Sequence, residues 1–371
     1  MSKLELFSIG EQHDWDKYID LEIGENYFEK VAKQIFNKEY DKVTHHIGLH
    51  KLLAYFGESD IAIRFDNCYA KVNLGNIFSS NILHVIERLA LSGGNVLLYC
   101  PTEPYSKVDM RLCLKYIRTE ARSKIHYANC NPKIFEFNDT GLQLHYIDYF
   151  SLWTSAGNKH FVSQVNFKKP QRDFLSLNLT IRPSKKFILD ELKDKKLYHN
   201  GYISDDTQTI DALDVTEGRY NIRSMQGKYQ KHPNFYNISP FTKAVYFELI
   251  NEDVFGYVND NQYLHNSEKT FRSIYNKMPF IIYGRQHQLK YLKGLGYKTY
   301  NALFDESYDD IKDDKERGKC IVNEIEKFCL LDRDKKEELV TGVKQIIDHN
   351  YNLINEPNNV GKIYHYPVNS N

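Results

Sequence analysis

The sequence lacks a charge of either sign to read: 49 Lys and Arg stand against 49 Asp and Glu in 371 residues. That balance excludes whole-molecule attraction to a polyanion. It does not exclude a local basic groove, because steering follows where charges sit. Cysteine is scarce. Cys68, Cys100, Cys113, Cys130, Cys320 and Cys329 form no C-x-x-C pair and show no zinc-type spacing with histidine. A chain of this length can bury a core without disulfides, so reduced thiols and a cytoplasmic setting are expected. No run of 18 apolar residues exists, which excludes an apolar membrane helix, and "MSKLELFSIGEQHDWD" has no leader-type apolar stretch. The Walker, H-E-x-x-H, G-x-S-x-G and G-x-G-x-x-G patterns are also missing.

What is present is the composition of an ordinary soluble globular protein, 42% hydrophobic and 26% charged, with 28 Tyr and 21 Phe. The length predicts two domains. Along the first half, helical spacing at 25–37 and 81–94 alternates with apolar strand-like runs at 60–65 and 95–100. A helix is predicted over 108–122, with strands at 124–129 and 133–137. The rhythm breaks over 150–172, where Lys, Gln and Pro accumulate, and then resumes. A strand at 174–180 leads to a helix at 184–197 with Ser184 as its cap, then a polar, irregular stretch over 205–240. A strand at 244–250, a helix opening at Glu268, the strand "PFIIYG", a helix at 288–296 and a strand from "KTY" follow. Two amphipathic helices, near 315–330 and 334–350, finish the chain. The pattern predicts an α/β protein of two successive parallel-sheet units, residues 1–165 and 166–371.

Several short stretches could carry chemistry. In "NSEKTFRSIYNKMPFIIYG", Glu268 and Lys269 open a helix that feeds a buried strand. Free N–H groups and the dipole make that end an anion site, and a lysine there opposes the dipole unless an anion sits beside it. The plain alternative is a solvated first turn. "LNLTIRPSKKF" sets Arg182, Lys185 and Lys186 at a strand-to-helix turn, which suits a phosphate or simply water. "LLYCPTEPYS" puts Glu103 just past a buried strand, a general-base position or a turn residue. In "VTHHIGLH", His46 and His50 are spaced to share a helical face, with packing favoured over metal binding. Asp14 and Asp16 form a D-x-D outside any clear strand end. "ALSGGNV" reads as a helix-ending turn, and the acidic 305–316 as a solvated loop.

Taken in order, "YFELINEDV…NSEKTFRSIYNKMPFIIYG" resembles the donor-binding segment of the α1,3-fucosyltransferase-like glycosyltransferases of GT-B type. Phe247, Leu249 and Glu252 match its F-x-L-x-x-E strand, Glu268 and Lys269 its T-E-K helix, and Pro279 and Gly284 its P-V-x-x-G strand, with Ser267 in place of Thr. "YCPTEPYS" is similar to the family's E-x-P loop, with Glu103 in the acid's place. "NLTIRPSKKFILDEL" resembles its strand–loop–Arg–helix segment, but Lys185 stands at the arginine's position and Arg182 is the nearest substitute. Lysine lacks the bidentate fork of arginine. The segment from Gly284 to Ile311 resembles phage-encoded relatives of these enzymes.

The resemblance implies two Rossmann-like domains facing a cleft, with the terminal helices packing back toward the first. It implies an inverting, metal-independent transfer of a sugar from a nucleotide diphosphate-sugar co-substrate to an acceptor hydroxyl, with no other cofactor. Glu268 would hold the ribose, Lys269 with Lys185 or Arg182 the diphosphate, Glu252 would belong to the donor site, and Glu103 would be the catalytic base. Two acceptors stay open: a hydroxymethylated base in double-stranded phage DNA, and a bacterial surface glycan precursor. Arg64, Lys107, Arg111, Lys115, Arg118 and Arg122 are the cations that could face DNA. The other class is a non-catalytic nucleotide-sugar-binding or structural phage protein. No membrane partner is expected, and the sequence assigns no oligomeric state.

Overall fold

A computed structural model describes residues 2–9, 20, 26–65, 80–100, 114–148, 169–178, 183–203, 243–252, 264, 266–356 and 363–365. The chain divides into two compact units. One comprises Met1–Leu152, Gln262–His265 and Val360–Asn371, and the other Trp153–Asn261 and Asn266–Asn359.

The first unit is built on β1 (Lys3–Ile9), β2 (Lys42–Ile47), β3 (Asp60–Phe65), β4 (Val96–Cys100), β5 (Ile125–Asn129) and β6 (Gln143–Ile147). These lie in the order β6-β5-β4-β3-β1-β2, and every neighbouring pair is parallel. β4 is buried at all five positions, which is why "VLLYC" is a continuous apolar run without polar alternation. Between the strands run α1 (Tyr27–Phe36), α2 (Leu49–Leu53), α3 (Ser80–Leu91) and α4 (Thr119–Arg122). The Asn26 side chain caps α1 by accepting from the Glu29 amide at 3.0 Å, and Asn37 ends it in the left-handed region at φ 51°. After α3 the chain turns through Gly93 and Gly94 into β4. A Cβ on Gly94 would lie 2.4 Å from the Ser59 carbonyl oxygen, so only glycine fits there.

The second unit holds a four-stranded sheet of β7 (Phe174–Ser176), β8 (Gly201–Ile203), β9 (Phe247–Asn251) and β10 (Phe280–Tyr283), in the order β10-β9-β7-β8 and all parallel. Its helices are α5 (Pro183–Asp194), α6 (Glu268–Tyr275), α7 (Gln288–Gly294), α8 (Asp314–Cys329), α9 (Arg333–Gly342) and α10 (Lys344–Asn355). α8 packs on α5 and β10, and α6 on α10. Gly318 lets α8 approach α5 closely: a Cβ there would lie 2.9 Å from the Phe187 ring. The last strand, β11 (Ile363–His365), pairs antiparallel with β6 at the edge of the first sheet. Both units are therefore α/β, with sheets that are parallel apart from β11, as the alternation predicted.

Several elements differ from the sequence reading. Residues 133–137 are not a strand but part of a 3-10 turn, Pro132–Thr140. Asn131 accepts from the Lys133 amide at 3.0 Å, Pro132 opens the turn and Gly141 closes it at φ 77°. The strand comes afterwards, as β6. Of the helix expected over 108–122, residues 108–113 lie outside the described residues; the rest is interrupted at Arg118, which is extended (φ −61°, ψ 147°) and precedes α4. His45 and His46 stand on β2 and not on a helix; His46 Nε2 lies 2.7 Å from Glu5 Oε2, and its ring stacks on Phe7. Ser184 lies inside α5, whose first residue is Pro183, so it does not cap it. "KTY" forms no strand among the described residues. The final helices number three rather than two, because the chain breaks at Val343 (φ −94°, ψ 8°). The acidic 305–316 is not wholly solvated: it contains a 3-10 turn, Glu306–Asp310, in which Tyr308 and Asp309 are buried. The Asp309 carboxylate accepts from the Leu289 and Lys290 amides, both at 3.0 Å, and so caps α7.

One buried acid sets an acid limit on the first unit. Asp60 accepts from Lys38 Nζ at 2.8 Å, the Tyr40 hydroxyl at 2.9 Å and the Asn95 amide at 2.7 Å. Burial works against its charge, but the Lys38, Asn95 and Tyr40 donors outweigh it and hold the carboxyl below its ordinary value. Burial, with Asp60 as acceptor, pushes the Tyr40 phenol up. Because the folded carboxyl is the stronger acid, its stabilisation is present above the unfolded value near 3.8 and lost as pH falls through the lower folded one. Asp60→Asn should lower stability at pH 7 and flatten the acid limb of a pH series of urea denaturations.

Candidate functional site

The second sheet reverses direction at its middle. After β7 the chain passes through α5 to β8 on one side, and then forms β9 on the other side of β7. The strands that follow β7 and β9 in the chain, β8 and β10, therefore lie on opposite sides, and at such a reversal open parallel sheets bind ligands at the strands' carboxyl ends. Two helices begin at this edge, α5 after β7 and α6 after β9.

Position along β9 decides what each side chain meets. Side chains alternate faces, so Glu248, Ile250 and Glu252 point one way and Phe247, Leu249 and Asn251 the other. On the first face lies α6. Glu248 (0% exposed) pairs with Arg272 (2% exposed) and also accepts from the Ser273 hydroxyl. At the strand's end Glu252 accepts from the Ser267 amide at 3.0 Å, the Ser267 hydroxyl at 2.6 Å and the Thr270 hydroxyl at 2.6 Å. Ser267 is also the cap of α6, its oxygen 3.2 Å from the Lys269 amide. On the other face Phe247 meets Phe304 and Phe328, the latter on α8, which packs on α5. The α6 first turn is thus anchored to the strand end by a carboxylate with three donors.

Glu268 and Lys269 project from that anchored turn and meet each other, Nζ to Oε1 at 2.9 Å; Lys269 Nζ also lies 3.2 Å from the Ser267 hydroxyl. Both side chains are largely buried. Lys185 sits in the first turn of α5 at 2% exposure, an unusual burial for a lysine, while Lys186 beside it is exposed and pairs with Asp190 at 2.5 Å. The structure thus sets Lys185, Glu252, Glu268 and Lys269 at the carboxyl edge of one sheet. Glu103, Arg182 and the D-x-D of Asp14 and Asp16 lie outside the described residues. At the end of β10, burial, with Asp314 nearby, pushes the Tyr283 phenol up to about 12, so it stays neutral near pH 7.

Sequence reasoning did not find the Glu248–Arg272 pair, nor the asparagines at this edge. Asn251 donates to the Asn178 Oδ1 at 2.8 Å and the Ser176 hydroxyl at 3.2 Å, joining the ends of β9 and β7. A signal existed: an acid in the middle of "YFELIN" cannot be buried alone and requires a cation nearby. Among the described residues no group of three or more His, Cys, Asp or Glu could hold a metal, and no helix is long and apolar enough to cross a membrane.

Of the first-unit cations named above, Arg64 and Arg122 are engaged within the unit, whereas Lys115 and Arg118 are exposed. Arg64 is 2% exposed, with its guanidinium 5.7 Å from the Tyr99 ring centre. Arg118 donates to Glu87 through its amide at 2.8 Å and Nε at 3.0 Å. Arg122 donates to the Leu114 and Ile117 carbonyls at 2.7 and 3.0 Å. Lys107 and Arg111 lie outside the described residues.

No family model and no curated protein matches the chain. Among solved structures, it is similar to an α1,3-fucosyltransferase with GDP-fucose at 11% identity over 96% of this chain and 91% of that one. The TM-score is 0.33, too loose a superposition to transfer any residue's role.

The anchoring pairs make separable predictions. Glu248→Gln leaves Arg272 charged and buried, and should lower the unfolding free energy by about 3–5 kcal/mol. Glu252→Gln keeps the outline and one acceptor, and should lower it by less, about 1–3 kcal/mol. Urea titration of both variants measures the difference.

Proposed function

We propose that the chain is a glycosyltransferase that moves a sugar from a nucleotide diphosphate-sugar to an acceptor hydroxyl, with the donor held at the carboxyl edge of the second unit's sheet. The observation that carries this reading is the anchored first turn of α6. It offers a buried Lys269 and Glu268 at a helix N-terminus, beside the reversal of a parallel sheet. The ordered match of three motifs to α1,3-fucosyltransferase-like enzymes agrees with it.

In this reading Lys269, with Lys185 or Arg182, offsets the charge that grows on the departing nucleotide diphosphate, and Glu268 accepts from the ribose hydroxyls. Glu252 acts through Ser267, holding the turn that carries both. Glu103 removes the proton from the acceptor hydroxyl as it attacks the anomeric carbon opposite the leaving group, which inverts that centre. Cationic side chains perform the charge stabilisation that a metal supplies in other transferases. For the acceptor, a glycan precursor and a DNA duplex both stay open, because Arg64 and Arg122 are engaged within the unit while Lys115 and Arg118 are exposed.

A thermal-shift series with UDP-, GDP- and CMP-sugars tests the donor site, because ligand at a hundredfold over its Kd adds about 2.7 kcal/mol of stability. A UDP- or GDP-sugar should raise the melting temperature, the CMP-sugars with their single phosphate serving as the comparison, and Lys269→Ala should weaken that ligand by roughly tenfold or more. If none shifts it, the donor-site reading is wrong. Glu103→Gln should abolish transfer and leave the thermal shift intact; a wild type that binds but never transfers would instead be a non-catalytic binder.

A further inference from the structure

We propose that Asn251 recognises the bound ligand directly, its Oδ1 accepting a hydrogen bond from an N–H or O–H donor in the nucleoside half. The inference rests on the donor-site reading above.

Asn251 ends β9 at the point where the sheet reverses, and is 1% exposed. The orientation of its amide follows from its neighbours. Asn178 Nδ2 lies 3.4 Å from the Ser176 carbonyl oxygen and 3.2 Å from the Ser176 hydroxyl. A carbonyl only accepts, so that end of Asn178 is the amino group and its other end is the oxygen. The Asn251 atom 2.8 Å from that oxygen must then be Nδ2. Asn251 Oδ1 is left over, and it is buried with no hydrogen-bond partner among the described residues.

Buried acceptors are nearly always paired, and an exception at a sheet reversal calls for a reason. The next residue, Glu252, shows the contrast, with three donors on its carboxylate. A phosphate cannot be the missing partner, because two acceptor oxygens repel. The positive helix ends with Lys185 and Lys269 suit phosphate instead. The ligand then has a direction at this edge, with phosphates toward the helix N-termini and the base or ribose over β7 and β9. Oδ1 lies below the surface, so the contact forms only when the nucleoside seats deeply. An acceptor left unpaired by the wrong ligand discriminates strongly, which makes Asn251 a specificity residue.

The test is calorimetric titration of the full chain, wild type and Asn251→Leu, with UDP and GDP and the 2′-deoxy, 3′-deoxy and ring-N-methyl analogue of each. One analogue should bind wild type roughly tenfold more weakly than its parent. In Asn251→Leu the same two should bind alike, the signature of a direct pair in a double-mutant cycle. Which analogue responds tells ribose from base. If the parents bind but no analogue is weaker, or the loss is equal in both proteins, the inference falls and the donor site stands. If neither UDP nor GDP binds wild type, the donor-site reading fails and this inference with it. Should the leucine variant not melt cooperatively, Asn251→Ser takes its place in the cycle.

Discussion

The second unit depends on how two carboxylates of one strand hold one helix. Glu248 on β9 and Glu252 just past its end are four residues apart, which in extended chain places them on one face about 13 Å from each other. The first meets Arg272 and Ser273, and the second meets Ser267 and Thr270. Held at both ends, α6 can neither slide nor tilt without exposing a charge to an apolar interior. Burying an ion pair gives little net stability against an apolar replacement, but breaking one is expensive, so its effect is to fix geometry. The position of the Glu268–Lys269 turn follows from that constraint.

The same constraint separates the polar residues at this edge into two kinds. Some are occupied in building it: Glu252, Ser267, Thr270, Asn178 and the donor side of Asn251. Others are placed by it at the helix starts, as Lys185, Glu268 and Lys269 are. Glu252 stands in the strand motif read from the sequence and yet is engaged with the protein itself. A motif residue can matter to a site by positioning another, and only its hydrogen bonds show which role it has.

Much of the fold was legible because buried parallel strands leave a plain record. "DIAIRF", "NVLLYC" and "PFIIYG" are short apolar runs that need cover on both faces, and each forms a parallel strand, β3 and β4 in the interior of the first sheet and β10 at an edge of the second. Reading failed where local chemistry overrides composition. "KIFEF" is strand-like in residue type, but Asn131 and Pro132 in front and Gly141 behind impose a tight helical turn. "DESYDDIKDDKE" is acidic enough to read as solvated, yet Asp309 is buried as the cap of a helix twenty residues earlier in the chain. Burial pushes that carboxyl up, against the two amides that favour its charge. Such a partner is remote in sequence, and no periodicity records it.

By itself the sequence determined the α/β class, the parallel character of the sheets and the apolar strands. Those follow from how many faces of each element must leave water, which local composition states directly. It also supplied the residues of the candidate site, as an ordered set of motifs. Only the tertiary structure decided which of them are engaged inside the protein, which stand at the sheet's edge, and that one asparagine oxygen has no donor among the described residues. Those outcomes depend on distances between groups as far apart in the chain as Ser176 and Asn251, and a hydrogen bond exists only where folding brings its two ends together.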